Sequence, residues 1–245
     1  MPELFLSPST QSWNPYINMG NEQFWMNRIA DAMEPYLHAA GINVTRNNPQ
    51  GTVQTSIRQS NMNNYDFHLA LHSNAAPGEK AGQVRYSIVF YYPTSAEGLR
   101  MANILVDNFK EIYPLPDDVR AEASTTITEL RRTRAPVAFF EIAFHDNPDD
   151  AAWITGNVEE IAANMSESVT EYFGLPFLQP QPERTGIVTL ESGTLNLREG
   201  PEVTFPIVRT IPNRARIQIL GQFGDWYSAA YRGRYGWVNS NYIRF

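Results

Sequence analysis

The chain has 245 residues, 42% hydrophobic and 18% charged, an ordinary globular balance that supports one large domain or two unequal ones. It contains no cysteine, so disulfides, thiolate metal sites and a cysteine nucleophile are excluded, and any metal must be held by Asp, Glu or the four histidines. The net charge of −7 is uneven: residues 184–245 carry +4, from eight Arg against four acidic residues, leaving −11 on the rest.

Residues 1–175 alternate between strand-like and helix-like patterns, which predicts an α/β domain with an open sheet and helices on both faces. Glu3–Leu6 is a short apolar strand. Asn21–Ala40 has helical spacing, is closed by Gly41, and should kink at Pro35. Strands are expected at Ile42–Thr45, Phe67–His72, Val84–Tyr92 and Pro136–Ala143. Helices are expected at Val53–Asn64, Ala96–Tyr113 and Val158–Phe173. Residues 176–184 are proline-rich and read as a linker. From 185 to 245 short β-rich runs follow one another without a helix signal, which predicts a small all-β barrel. No apolar run reaches the roughly 20 residues of a membrane span. The first residues lack the basic and apolar regions of a signal peptide.

Sites in open α/β sheets form beyond the carboxyl ends of the strands. Ser7–Gln11, His72 and Glu141 fall at such ends, and Glu22, opening the first long helix, returns to the same rim. His72 leads into the polar break Ser73-Asn74-Ala75, where a ligand or a hydrogen-bonded loop histidine would stand. Glu141 follows Val137-Ala138-Phe139-Phe140. Apolar surroundings raise a carboxyl pKa and suit a general base, unless Arg46 or Arg58 pairs with it. His68 lies on the same strand face as His72, about 13 Å deeper at ~3.3 Å per residue, as a core histidine. His38 is expected on the surface. In the tail, Trp226, Tyr227, Tyr235, Trp237 and Tyr242 exceed what so small a barrel can bury, so a surface groove is expected, with Trp237 the best candidate for barrel core.

These motifs carry a resemblance. Gly20-Asn21-Glu22, Thr45-Arg46, Arg58-Gln59-Ser60-Asn61, Leu71-His72-Ser73-Asn74-Ala75 and Glu141-Ile142-Ala143-Phe144-His145-Asp146-Asn147 resemble the zinc-dependent N-acetylmuramoyl-L-alanine amidases of the amidase-3 type. Leu195–Pro201, Gly224–Val238 and Tyr242 resemble the bacterial SH3-like domain of wall hydrolases. The resemblance implies an amidase-like catalytic domain over 1–175 and an SH3-like wall-binding domain over 185–245. It implies zinc held by Glu22 and His72, with Glu141 activating water and then protonating the leaving amine. The bond cut would join muramic acid to L-alanine in peptidoglycan. Where the family has Asp-Pro-Gly-His, this chain has Ser7-Pro8-Ser9-Thr10, so Thr10 stands in the slot of the first histidine ligand. His145 is the expected substitute. Thr10, Gln11, Asn14, Asn74, Asp146 and Arg58 are expected to support the ligands or meet substrate. The basic tail suits anionic wall polymers as a further partner, and the acidic body disfavours nucleic acid. Action at the cell wall is the expected location. A degenerate, wall-binding amidase fold and a stem-peptide metallopeptidase stay open as alternatives.

Overall fold

The computed structural model describes residues 2–245. The first domain runs β1 (Glu3–Pro8), α1 (Glu22–Ala39), β2 (Asn43–Arg46), α2 (Val53–Met62), β3 (Phe67–Asn74), β4 (Ser87–Tyr91), α3 (Ala96–Phe109), β5 (Val119–Ala123), α4 (Thr128–Arg132), β6 (Val137–Phe144), α5 (Pro148–Gly156) and α6 (Val158–Phe173). Its six strands lie in the order β2-β1-β3-β6-β4-β5. The first four are mutually parallel. β4 runs antiparallel to β6, and β5 pairs parallel with β4.

The central strands are buried on both faces, which is why they read as continuous apolar runs rather than as an alternation. Against one face, Met26, Ile29 and Met33 of α1, Leu105 of α3 and Met165 of α6 join Leu4, Leu6 and Phe140 in the main core. On the other face, Leu130 of α4 packs with Ala70, Val137 and Phe139 in a smaller cluster. α1 starts where the sequence places it. Asn21 caps it by accepting from the Phe24 amide at 2.8 Å, and Glu22 opens its first turn. Gly20, at φ +76°, makes the turn before the cap, where a Cβ would lie 2.9 Å from Trp25 Nε1. Pro35 lies inside α1 without ending it.

The structure differs from the sequence reading in particular places. β1 continues to Pro8, β3 to Asn74 and β6 to Phe144, so His72 and Glu141 lie within their strands rather than at their ends. β5, α4 and α5 were not expected. α4 is one short turn and β5 a charged outer strand, too brief for periodicity to register. α5 was signalled by an Asn147 cap and Pro148 in its first turn.

The second domain contains β7 (Arg184–Val188), β8 (Thr194–Arg198), β9 (Ile207–Pro212), β10 (Arg216–Phe223), β11 (Trp226–Tyr231), β12 (Arg234–Asn239) and β13 (Ile243–Arg244). They form an antiparallel seven-stranded sheet ordered β13-β7-β10-β11-β12-β8-β9. Its core holds Val188, Leu197, Ile211, Ile219, Val238 and Ile243.

The domains are docked together. Trp237 is fully buried, but its indole Nε1 donates to the Ala40 carbonyl at 3.1 Å, at the end of α1. The Tyr235 ring stacks on His38 at 4.2 Å, so His38 is half-buried rather than on the surface as expected. The connecting segment also packs, with Phe177 stacked on Tyr36 at 5.6 Å.

Candidate active site

Strand register creates the site. His72 of β3 stands directly beside Glu141 of β6, and neighbouring positions in a parallel pair put their side chains on one face. The segment between β1 and α1 then folds over this rim. The Glu22 amide donates to the Asn14 carbonyl at 2.9 Å, and the Ile17 amide to the His145 carbonyl at 3.1 Å.

Glu22 is fully buried. Its Oε1 accepts from His72 Nδ1 at 2.7 Å and its Oε2 from Asn14 Nδ2 at 2.7 Å. Gln11 Nε2 sits at 3.5 Å from the same Oε1 and 3.3 Å from His72 Nδ1, and Asn14 donates to Gln11 Oε1 at 3.2 Å. Burial opposes the Glu22 charge, but His72, Asn14 and Ser9 outweigh it and hold its pKa below the usual carboxylate value.

His72 meets a second carboxylate on its other side. Glu129 Oε2, from α4, lies 3.8 Å from Nε2, an ion-pair distance beyond hydrogen-bond reach. Glu129 Oε1 accepts from Ser7 Oγ at 2.8 Å and from His68 Nε2 at 3.1 Å, and His68 Nδ1 contacts Ser60 Oγ at 3.0 Å. Burial works against the charged His72 ring. Glu129 and Glu22 outweigh it and push the pKa up to about 10. Burial likewise disfavours the Glu129 charge, yet His68 and His72 hold its pKa well below the usual value. The His72 ring lies flat on Phe139, 4.2 Å between centroids.

Glu141 has the opposite environment. Its Oε2 is enclosed and accepts no hydrogen bond among the described residues. Desolvation raises its pKa, the His72 charge partly offsets this, Glu22 adds to it, and the result is about 7. Arg46 is not its partner, since that side chain pairs with Asp31 and Glu34. Arg58 is exposed on α2. Beside the site lies a cavity of about 430 Å³, lined by Thr10, Gln11, Trp13, Thr52, His72 and Glu129.

The structure brings Glu22, His72, Gln11 and Asn14 into one hydrogen-bonded group. It does not add His145 to a ligand set. The His145 ring stacks on Tyr16 at 5.2 Å, and its Nδ1 faces the Ser73 carbonyl at 2.9 Å and the Ser73 hydroxyl at 3.0 Å. Its imidazole thus ties the loop over the rim to β3. Among the described residues no group of three or more His, Asp or Glu side chains is arranged to hold a metal. Thr10 is buried at the cleft wall. Asn74 accepts from the next amide, that of Ala75, at 2.8 Å. Asp146 accepts from the Ala76 and Gly82 amides at 3.1 and 2.8 Å, so both organise loops. Glu129 escaped the sequence reading. With Arg131 and Arg132 two and three residues on, it looks like part of a solvated face, and only the fold turns it inward.

In the second domain, Trp226 and Tyr242 line a groove of about 830 Å³ together with Glu191, Asn196, Arg198 and Arg244. Tyr227 packs on the barrel core and edge-on to Phe245. Tyr235 and Trp237 belong to the domain interface instead of a wall-binding surface, because the end of α1 covers them.

An α/β domain with a carboxylate–histidine centre on its parallel strands, joined to a small antiparallel β domain, defines the class of this protein. Residues 15–171 match the N-acetylmuramoyl-L-alanine amidase family and residues 193–244 the bacterial SH3 domain, so the chain belongs to that amidase family and carries a C-terminal SH3 domain. The endolysin of Bacillus phage SPP1 is 28% identical over 120 residues, 48% of this chain and 44% of that protein. Bacteriocin BCN5 of Clostridium perfringens is 34% identical over 70 residues, 29% of this chain and 8% of that protein. The chain thus spans less than half the length of these curated relatives. Among solved structures, the amidase AmiC2 of Nostoc punctiforme superposes with a TM-score of 0.63 at 13% identity, over 71% of this chain and 97% of that one. The catalytic domain of the CD27L endolysin targeting Clostridia Difficile superposes at 0.58 with 20% identity, over 70% and 98%. These likenesses show the fold.

Proposed function

We propose that this protein hydrolyses the amide joining the lactyl group of N-acetylmuramic acid to L-alanine in peptidoglycan. The observation that carries the reading is Glu141: a carboxyl with an enclosed, unpartnered oxygen and a pKa near 7, set beside His72 in a chain of this amidase family. Such a group exchanges protons readily near neutral pH.

The resemblance also implies zinc, which would polarise the carbonyl and activate water. The residues present do not fit it. Zinc holds N and O ligands at about 2.0–2.2 Å, so two donors on one tetrahedral ion stand roughly 3.4 Å apart. Glu22 Oε1 and His72 Nδ1 are 2.7 Å apart and bonded to each other, Thr10 stands where the first histidine would, and His145 is turned to Ser73.

The chemistry then falls to the side chains themselves. Glu141 takes a proton from the attacking water as its oxygen bonds to the carbonyl carbon. Negative charge developing on the carbonyl oxygen is met by His72, held between Glu22 and Glu129. Collapse breaks the C–N bond, and Glu141 returns the proton to the departing L-alanine nitrogen. The products are a lactyl carboxylate and a free amine.

The Trp226–Tyr242 groove would hold wall peptide or glycan, with Arg198 and Arg244 favouring anionic polymer, and the site of action would be the cell wall. Clearing of purified wall suspensions tests the enzyme reading. The wild type should clear them and Glu141→Gln should not. Equal clearing by both would remove Glu141 from the chemistry, and a wild type that binds walls without clearing them would favour the degenerate, wall-binding reading.

A further inference from the structure

The departure at Ser7–Thr10 is answered elsewhere in the chain, and the answers meet at one histidine. In place of a metal, the gap between Glu22 and His72 is closed by their direct 2.7 Å hydrogen bond, with the Gln11 amide wedged against both atoms. Gln11 directly follows Thr10, so the side chain reaching the centre comes from the residue after the missing ligand. Asn14 occupies the other Glu22 oxygen at 2.7 Å. A carboxylate whose oxygens already accept from an imidazole and two amides has little lone-pair capacity left for an ion. On the far side of His72 stands Glu129, buried, and held in place by Ser7 and His68. Ser7 itself stands where the family pattern has aspartate. Ser7, in the position where the family pattern has aspartate, thus donates to the Glu129 carboxylate on α4.

We propose that this chain has exchanged its family's zinc for a closed set of protein donors, in which Gln11 fills the metal position and Glu129 anchors His72 from behind. The inference rests on placing the amidase centre at Glu22 and His72, not on the centre being active. Gln11 and Glu129 are positioning residues that act through His72. The exchange has a physical logic. A site with two protein ligands binds zinc poorly, and an ion-free buried carboxylate must find its own hydrogen bonds, as Glu22 does from His72, Asn14 and Gln11.

The test is the metal content of the full-length chain, purified without chelator and dialysed against excess zinc sulfate. The wild type should hold on the order of 0.1 zinc per chain or less, and Thr10→His/Gln11→Gly, which restores the imidazole and removes the wedge, should rise to about one. A wild type holding about one zinc, lost in His72→Ala with the fold intact by circular dichroism, would overturn it. Hydrolysis of a soluble muramoyl-peptide, measured in parallel with EDTA, should persist. Activity that EDTA abolishes and zinc restores would also overturn the inference. A wild type that is metal-free and inactive under both conditions leaves the exchange standing and removes the hydrolysis reading instead.

Discussion

Glu141 and Glu129 are carboxyls in reach of the same His72 charge, yet their surroundings drive them in opposite directions. Glu141 has an oxygen without a partner and a pKa raised to about 7, whereas Glu129 accepts from Ser7 and His68 and stays ionised. Two carboxyls with divergent pKa values take different roles, here proton exchange and fixed charge. Glu141→Gln should therefore lower kcat by roughly 10²–10⁴-fold. As a base, Glu141 must be ionised, so kcat of the wild type should rise with pH and level off above about 7. A pH–rate profile of the soluble substrate checks this, and a flat profile would speak against the role. Glu129→Ala strips Ser7, His68 and His72 of a buried partner and should cost about 3–5 kcal/mol in urea unfolding. At this scale the apolar strand runs and the helix start put Glu22, His72 and Glu141 on one rim in the sequence, although β3 and β6 run on past His72 and Glu141. Glu129 was not legible. A short segment with arginine neighbours gives no sign that its carboxylate turns inward.

At the scale of elements, the interface between the end of α1 and β12 decides how the second domain is held. Trp237 buries its ring there and donates to Ala40, while Gly41, at φ +79°, leaves room for it: a Cβ would lie 2.8 Å from the indole nitrogen. Trp237→Ala should cost about 3–5 kcal/mol by loss of buried aromatic surface, read from the thermal or urea transition. His38 adds a pH dependence. Burial lowers its pKa below 6.5, against the opposing charges of Glu34 and Glu183, so the unfolded chain binds the proton more readily. Its stabilising contribution is present above pH 6.5 and is lost as the pH falls towards its lowered folded value. Replacing His38 with Phe, which keeps a ring against Tyr235, should flatten the urea midpoint between pH 7 and pH 5, and an unchanged slope would exclude His38 as its source. The main helices and strands were legible as periodic apolar runs. The interface was not, because Trp237 and Tyr235 look the same in sequence whether they face a barrel core, a ligand or another domain.

For the whole molecule, an acidic body is joined to a basic tail domain. The groove on the tail keeps Trp226 and Tyr242 clear of the interface that takes Trp237 and Tyr235. Trp226→Ala combined with Tyr242→Ala should weaken co-sedimentation with walls but leave turnover of a soluble muramoyl-peptide unchanged. Added salt should weaken the same wall binding, as surface charges are screened within about 10 Å at 0.1 M. The two-domain plan was readable from the change of pattern after residue 175, but the docking that makes the linker part of the structure was not. The bond that is cut distinguishes an amidase from a stem-peptide peptidase. Mass spectrometry of wall digests should find intact stem peptides with newly freed L-alanine amino termini and muramic acid with a free lactyl carboxylate, released by the wild type and not by Glu141→Gln. New termini elsewhere in the peptide, or equal release by the two proteins, would contradict it.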